Sequence, residues 1–428
     1  MSATLVIRNG RVIDPSQEID DVTNVAIAGG RIAAIGKAVP RDAEQVVEAA
    51  GMIVAPGLID MHVHLREPGF EEKETIETGT EAAAAGGFTA VACMPNTQPP
   101  LHTDAEIEFV LRQAARVGHT RVYPIGALTK SRAGHELAEI GLMIRAGAVA
   151  FSDDGDGIAD ASVCLRAMHY VSMFDRLFIQ HCEDKALAGR GCMNAGVTAT
   201  RLGLPGIPAA AEEVMIQRDI ALAAQAGARY HVAHISTAGA VELVRNAKRA
   251  GLRVTTEVCP HHLLLTDESC TSYDTNYKMN PPLRTARDVQ ACLAGVADGT
   301  IDCLVTDHAP HGRQDKEQEF QDAAFGITGL ETALPLFIRA LIEPRIIDWP
   351  RLIAALSTRP AELLRVAGGT LKVGAAADVT IIDPLREWTI DPERMLSKSR
   401  NTPFGGWRVR GAAEMTIVDG DIRYQAGG

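Results

Sequence analysis

IVAPGLIDMHVHLREPG, residues 53–69, is an apolar run that stops abruptly at His62-Val63-His64. A short apolar run bounded by Pro-Gly punctuation predicts a buried strand. Side chains alternate along a strand, so His62 and His64 project from one face and can chelate one ion. Runs of the same kind recur at FTAVACMPN (88–96), RVYPIGALT (121–129), AVAFSDD (148–154), RLFIQHCED (176–184), ARYHVAHIST (228–237), LRVTTEVCPHH (252–262) and DCLVTDHAPH (302–311). Together with 53–64 they make eight. Stretches of helical spacing lie between them, such as TIETGTEAAAAGG and HELAEIGLMIRAG. Alternating strand and helix patterns imply βαβ units and a parallel sheet. Eight such units predict a closed (β/α)8 TIM-type barrel. The other candidate is an open doubly wound sheet, but no GxGxxG turn follows the first strand.

The ends of the chain read differently. TLVIRNGRVID (4–14), VTNVAIAGGRIAAIG (22–36) and AEQVVEAAGMIVAPG (43–57) are β-rich and broken by Asn-Gly and Gly-Gly turns. The style returns in GTLKVGAAADVTIIDP (369–384) and GWRVRGAAEMTIVDGDIRY (406–424). This predicts a small β-sandwich domain shared by the termini, residues 1–55 and 366–428, around a metal-dependent hydrolase barrel over 56–365.

Composition sets limits. Hydrophobic residues make up 46% of 428, enough for a large core. Lys and Arg number 42 against 54 Asp and Glu, a net charge of −12. Such a field argues against nucleic acid and membrane surfaces as partners. An anionic substrate would need local positive charge. The opening MSATLVIRNGRVID lacks the features of a secretion signal, and no apolar run approaches the ~20 residues of a membrane span. The eight cysteines form no CxxC pair, which predicts reduced thiols and a cytoplasmic setting.

Chemistry in such a barrel sits at the C-terminal ends of the strands. There the sequence places His62 and His64, then Asp153-Asp154, His181, His234 and Asp307. Taken singly, an HxH pair or a strand-end Asp is weak, since such an Asp is often a helix cap. Four buried imidazoles with two carboxylates call for a divalent cation. Mixed nitrogen and oxygen donors suit zinc best, with manganese or iron as alternatives. Asp153 and Asp154 face opposite ways in a regular strand, and the pattern does not choose between them. His231, three residues before His234, falls roughly on the other face and reads as structural. Cys182 and Cys259 read as buried structural thiols. His261 and His262 end the seventh strand outside the metal site.

At these residues the chain resembles the class I (bacterial, zinc-dependent) dihydroorotases of the amidohydrolase superfamily. The resemblance runs nearly end to end, through PGLIDMHVHLREPG (56–69), MPNTQP (94–99), FSDDG (151–155), QHCED (180–184), HVAHIST (231–237), EVCPHHLLL (257–265), KMNPPLR (278–284), DHAPH (307–311) and FGITGLET (325–332). It implies one or two zinc ions, with two expected from the ligand count. His62, His64 and Asp307 would hold one, His181 and His234 the other, and Asp154 would bridge them. FSDDG offers no lysine where many superfamily members carry a carboxylated one, which separates this chain from hydantoinases, dihydropyrimidinases and allantoinases. The implied reaction is reversible cyclisation of N-carbamoyl-L-aspartate to (S)-dihydroorotate and water, in pyrimidine biosynthesis, by a metal-bound hydroxide with Asp307 as general acid and base. His64, Arg66, Asn96 and His311 would contact substrate, the last three at its carboxylate. Asn280 and the backbone at Phe325 and Gly326 would meet the ring. The plain alternatives are an ion pair of Arg66 with Glu67 or Glu71, a turn organised by Asn96, and a solvated His311. Residues 311–326 are expected to close over substrate. A homo-oligomer and a complex with aspartate transcarbamoylase are further implied partners. The rival readings are another cyclic amidohydrolase and a non-catalytic partner of aspartate transcarbamoylase.

Overall fold

The computed structural model describes residues 4–39 and 43–427. The first residues of the stretch read for a secretion signal, and residues 40–42 and 428 of the expected terminal domain, lie outside them. The N-terminal part supplies β1 (Leu5–Asp14), β2 (Ile19–Ala28), β3 (Arg31–Ile35), β4 (Gln45–Glu48) and β5 (Ile53–Pro56). The middle supplies β6 (Leu58–Val63), β7 (Phe88–Cys93), β8 (Arg121–Gly126), β9 (Ala150–Ser152), β10 (Leu177–Gln180), a short pair β11 (Met193–Asn194) and β12 (Gly206–Ile207), then β13 (Arg229–Val232), β14 (Val254–Val258) and β15 (Cys303–Leu304). The C-terminal part supplies β16 (Val379–Thr389), β17 (Arg408–Val418) and β18 (Asp421–Gln425).

Apart from β11 and β12, which pair with each other, the strands of the middle form one eight-stranded sheet in the order β15-β14-β13-β10-β9-β8-β7-β6. Their pairings are parallel. A parallel bridge between Val63 and His308, with His64 N–H donating to His308 O at 2.8 Å, joins the two ends. The sheet is therefore a barrel, and the open doubly wound alternative is excluded. Met61, Ala92, Ile125, Ile179, Ala233 and Val305 belong to one buried cluster contributed by successive strands. Its floor is thus packed side chains, which leaves the strand ends as the place for polar groups.

The outer helices start where the sequence supplies caps. Thr75, Thr103 and Thr285 open the helices Ile76–Ala85, Asp104–Val117 and Ala286–Asp298 with capping boxes. Asp160 accepts from Ser162 N–H and Val163 N–H at the start of Ala161–Ser172. Each such cap is worth about 1 kcal/mol.

The terminal strands form a second sheet in the order β18-β17-β16-β5-β1-β2-β3, with β4 on β1. It is sewn from both ends of the chain by antiparallel pairing of β16 with β5. Its core joins Ile27 and Ile32 to Ile381 and Ile417. A Cβ on Gly30 would meet Asp419 O at 2.7 Å, so turns at opposite ends of the sheet touch and the sheet curls around its own core. Gly57, between β5 and β6, is pressed against Thr89; a Cβ there would meet its Oγ1 at 2.0 Å, which any larger residue would violate. This hinge point delivers His62 and His64 to the barrel mouth.

Two predicted strands run differently. The segment 252–262 pairs only as β14, because Pro260 opens a short helix, Pro260–Leu264. A proline lacks the N–H that a ladder needs but suits a first helical turn. His261 and His262 thus sit on a helix, not at a strand end. The segment 302–311 pairs only at β15 and at the His308 bridge, since Asp307 turns out with φ 50°.

Candidate active site

The strand ends bring the six expected ligands together. His62 lies in β6, and His64, Asp154, His181, His234 and Asp307 lie within three residues of the ends of β6, β9, β10, β13 and β15. All six are buried. His62 Nε2 lies 3.4 Å from Asp154 Oδ1 and 3.6 Å from Asp307 Oδ1. His64 Nε2 is 3.0 Å from Asp307 Oδ1 and 3.6 Å from Asp154 Oδ2. On the other side of Asp154, His234 Nε2 is 3.6 Å and His181 Nδ1 3.9 Å from Oδ1. His181 Nδ1 and His234 Nε2 are 3.0 Å apart. Asp154 therefore stands between two imidazole pairs.

The choice between the adjacent aspartates is made by the backbone of the neighbouring strand. Asp153 turns away and accepts from Leu128 N–H at 2.8 Å and Thr129 N–H at 3.1 Å, and from the Thr129 hydroxyl. Burial pushes its carboxyl up to about 6. Asp154 has no such donors. Its Oδ1 is buried without a hydrogen-bond partner among the described residues, as is His62 Nε2.

The tautomers explain why these atoms lack partners. His62 Nδ1–H donates to Glu257 Oε1 at 2.6 Å, and His64 Nδ1–H donates to Asn96 Oδ1 at 2.8 Å. Each ring then turns the lone pair of Nε2 toward the carboxylates. Lone pairs of nitrogen and oxygen that converge in a buried space repel unless a cation lies between them. His62, His64 and Asp307 place their ligand atoms within 4.8 Å of one another, and so do His62, Asp154 and His234. The donor set fits divalent metal. Burial opposes the charge of Asp307, yet the imidazoles of His64 and His62 beside it hold its carboxyl below the usual carboxylate range. Asp307 (φ 50°), His234 (φ 29°) and Arg66 (φ 62°) all carry left-handed backbone, the kind of strain that a surrounding structure holds at functional sites.

An outer layer went unread in the sequence. Glu257, on β14, accepts from His62 and, at 3.3 Å, from His234 N–H, while its Oε2 lies 3.1 Å from His231 Nε2. Burial opposes its charge, but His62 and His231 hold it down to about 2. A carboxylate on the remote nitrogen fixes the tautomer and orientation of a ligating histidine. His231 is no ligand, but it is more than a filler: it braces Glu257. Asp60, pushed up to about 7 by burial, accepts from His62 N–H and Thr306 N–H. The signal for Glu257 was a lone acidic residue inside the apolar strand VTTEV.

The expected substrate contacts lie beside this cluster. Arg66 is buried and makes no ion pair among the described residues, so the pairing with Glu67 or Glu71 does not occur. Its Nε–H donates to Pro310 O at 3.1 Å, and burial lowers its guanidinium to about 10. Asn96 orients His64, leaving its Nδ2 for a ligand. His311 Nε2–H donates to Phe325 O at 2.8 Å and sits 3.3 Å from Arg66 Nη2; burial and Arg66 push its imidazole down to about 2. Asn280 Nδ2 lies 3.4 Å from His181 Nε2. Gly326 N–H donates to Lys278 O at 3.0 Å. Cys182 points away from the cluster, with Sγ 3.2 Å from the Tyr230 hydroxyl, and all eight cysteines are free and buried.

A family model described as Dihydro-orotase-like matches residues 51–240. The dihydroorotase of Syntrophotalea carbinolica is 52% identical over 98% of this chain and 99% of its own. The chain belongs to the dihydroorotase family. The dihydroorotase of Caldanaerobacter subterraneus subsp. tengcongensis is 50% identical over 98% of this chain and 97% of its own. Among solved structures, the L-hydantoinase (dihydropyrimidinase) from Arthrobacter aurescens superposes with a TM-score of 0.90 at 26% identity, covering 100% of this chain and 97% of that one. A dihydropyrimidinase from Brevibacillus agri reaches 0.85 at 24%, a likeness of fold alone, over 98% and 95%. This chain thus shares its fold with these two enzymes over nearly their whole length. The sequence relatives at about half identity are dihydroorotases.

Proposed function

We propose that the protein is a zinc-dependent dihydroorotase that interconverts N-carbamoyl-L-aspartate and (S)-dihydroorotate plus water. The observation that carries this reading is the convergence of six buried ligand side chains beside a buried arginine without an ion-pair partner among the described residues. His62, His64 and Asp307 would hold one ion, His181 and His234 a second, with Asp154 between them. When bound, such ions lower the pKa of water toward about 7 and polarise a carbonyl oxygen.

The chain's own groups do the rest. Asp307, held ionised, takes a proton from the attacking water and returns it to the ring nitrogen as the C–N bond breaks. In synthesis the ureido nitrogen attacks the carboxyl carbon, Asp307 moves the proton the other way, and water leaves. Arg66 offers a guanidinium fork to the substrate carboxylate, with Asn96 Nδ2 and His311 beside it. His311 already donates its Nε2–H to Phe325 O, so its ring must exchange that bond for the substrate carboxylate when the anion binds. Asn280 and the backbone at Phe325 and Gly326 face the ring edge. Arg66 supplies the local positive charge that an anionic substrate needs in a chain of net charge −12.

A hydantoinase-type activity is disfavoured by aspartate at position 154 and by Arg66. A scaffold without activity is disfavoured by the intact ligand set. No helix among the described residues is long and apolar enough to cross a membrane, and we place the protein in the cytoplasm. Self-association and a complex with aspartate transcarbamoylase rest on the family resemblance and are checked by light scattering of the protein alone and with that partner. The deciding experiment pairs metal analysis with a dihydroorotate hydrolysis assay on one sample. Bound zinc with turnover is expected. Metal-free protein without turnover, or preference for uncharged rings, overturns the reading.

A further inference from the structure

We propose that Asn401, from the C-terminal segment beyond the barrel, is the positioning residue of the substrate-carboxylate pocket. This rests on the assignment of Arg66 and His311 to that pocket. Asn401 is 5% exposed, and its side chain bonds to His311, Ala309 and Gly326 rather than to the six clustered residues. Its Nδ2 donates to Ala309 O at 3.0 Å and to Gly326 O at 3.1 Å, and its Oδ1 accepts from His311 N–H at 3.0 Å. Two carbonyls and one N–H leave the amide a single orientation, with both donor hydrogens and the acceptor engaged.

These partners lie on the two backbone segments that carry the expected anion contacts. The first runs from Ala309 to His311 after β15, and its Pro310 carbonyl holds Arg66 Nε–H. The second is Phe325-Gly326, whose Phe325 carbonyl holds His311 Nε2–H. The segments are pressed together: a Cβ on Gly326 would meet the Ala309 Cβ at 2.6 Å. Between them the carbonyls of Ala309 and Gly326 need donors, because an unpaired buried carbonyl is costly. Asn401 serves both. Lys316 Nζ reaches Gly326 O as well, at 3.1 Å, and Ala324 O at 2.8 Å, but as a donor only it cannot hold His311 N–H. Asn401 thus ties the two segments to each other alongside the His311 ring, and it alone among these side chains reaches both Ala309 O and His311 N–H. Its own backbone is pinned, with Thr328 N–H donating to Asn401 O at 2.9 Å. The loop after the last barrel strand is in this way set in register by a residue ninety positions further on.

Displacing His311 and the Pro310 carbonyl by a fraction of an ångström misaligns the anion contacts while leaving the ion-binding cluster intact. N401A should raise KM for dihydroorotate by about ten- to a hundredfold, with kcat and zinc content near those of the parent and a thermal midpoint lowered by the unpaired Ala309 carbonyl. Inhibition by orotate should weaken in parallel, and inhibition by uracil, the ring without the carboxylate, should not. N401D keeps the acceptor for His311 N–H but sets oxygen against two carbonyls, so it should be impaired at least as much as N401A. N401D behaving as the parent, or N401A weakening orotate and uracil alike, overturns the proposal. R66A and H311A separate it from the reading beneath: if these do not selectively weaken orotate, the carboxylate assignment itself fails. If they do and N401A does not, only the role of Asn401 fails.

Discussion

The His/Asp cluster and the anion pocket proposed beside it are built differently. Every ligand in the cluster stands on or just past a barrel strand, so its position follows from the register of a single sheet. The proposed anion pocket adds to Arg66 and Asn96, three residues past β6 and β7, a loop, residues 311–326, and Asn401, brought together by hydrogen bonds across distant parts of the chain. Rigid strands hold ions with little adjustment, whereas a loop can open for substrate and close over it. The contrast predicts that damage to the cluster lowers metal content and kcat together, while damage to the pocket appears in KM.

The largest effect is metal removal. Chelation should abolish turnover and lower the thermal midpoint, since ions that bind only the folded state stabilise it; zinc should restore both. Turnover that survives exhaustive chelation would place the chemistry elsewhere. Asp307→Asn should follow, with kcat reduced about 10²–10⁴-fold, the usual weight of a general acid–base group. Activity within a few-fold of the parent would remove Asp307 from its role. Arg66→Met should cost about 2–5 kcal/mol in kcat/KM, chiefly through KM, because the substrate carboxylate would lose its charged partner; an unchanged KM would dissolve the pocket as drawn. Glu257→Gln should weaken metal affinity about 10–100-fold while leaving kcat largely intact in excess zinc. A variant with parental affinity would show that Glu257 does not orient His62. The smallest effect belongs to Cys182→Ala, whose zinc content and kcat should match the parent, because that thiol faces Tyr230. Loss of an ion there would make the cysteine a ligand after all.

Much of the cluster was legible beforehand because strand periodicity is short-range. HxH at the end of an apolar run puts both rings on one face, and the remaining ligands sit in the same place on later strands. Asp154 was the limit of that reasoning. Alternation leaves adjacent aspartates equivalent until Leu128 and Thr129 present their N–H groups to Asp153. Glu257 and His231 form a brace that spans β13 and β14, and neither carries a motif. His261 and His262 looked like a strand end until Pro260 began a helix.

The order of residues alone determined the barrel, the pairing of the two termini in one sheet and that His62, His64, His181, His234 and Asp307 would gather at the strand ends. Those depend on local patterns of apolar and polar residues repeated along the chain. The tertiary structure decided which aspartate faces the cluster, which tautomer each histidine takes and how the anion pocket is stitched together. Those depend on which backbone donors and acceptors meet once distant segments are packed, and a hydrogen bond between residues hundreds of positions apart leaves no periodic trace in the sequence.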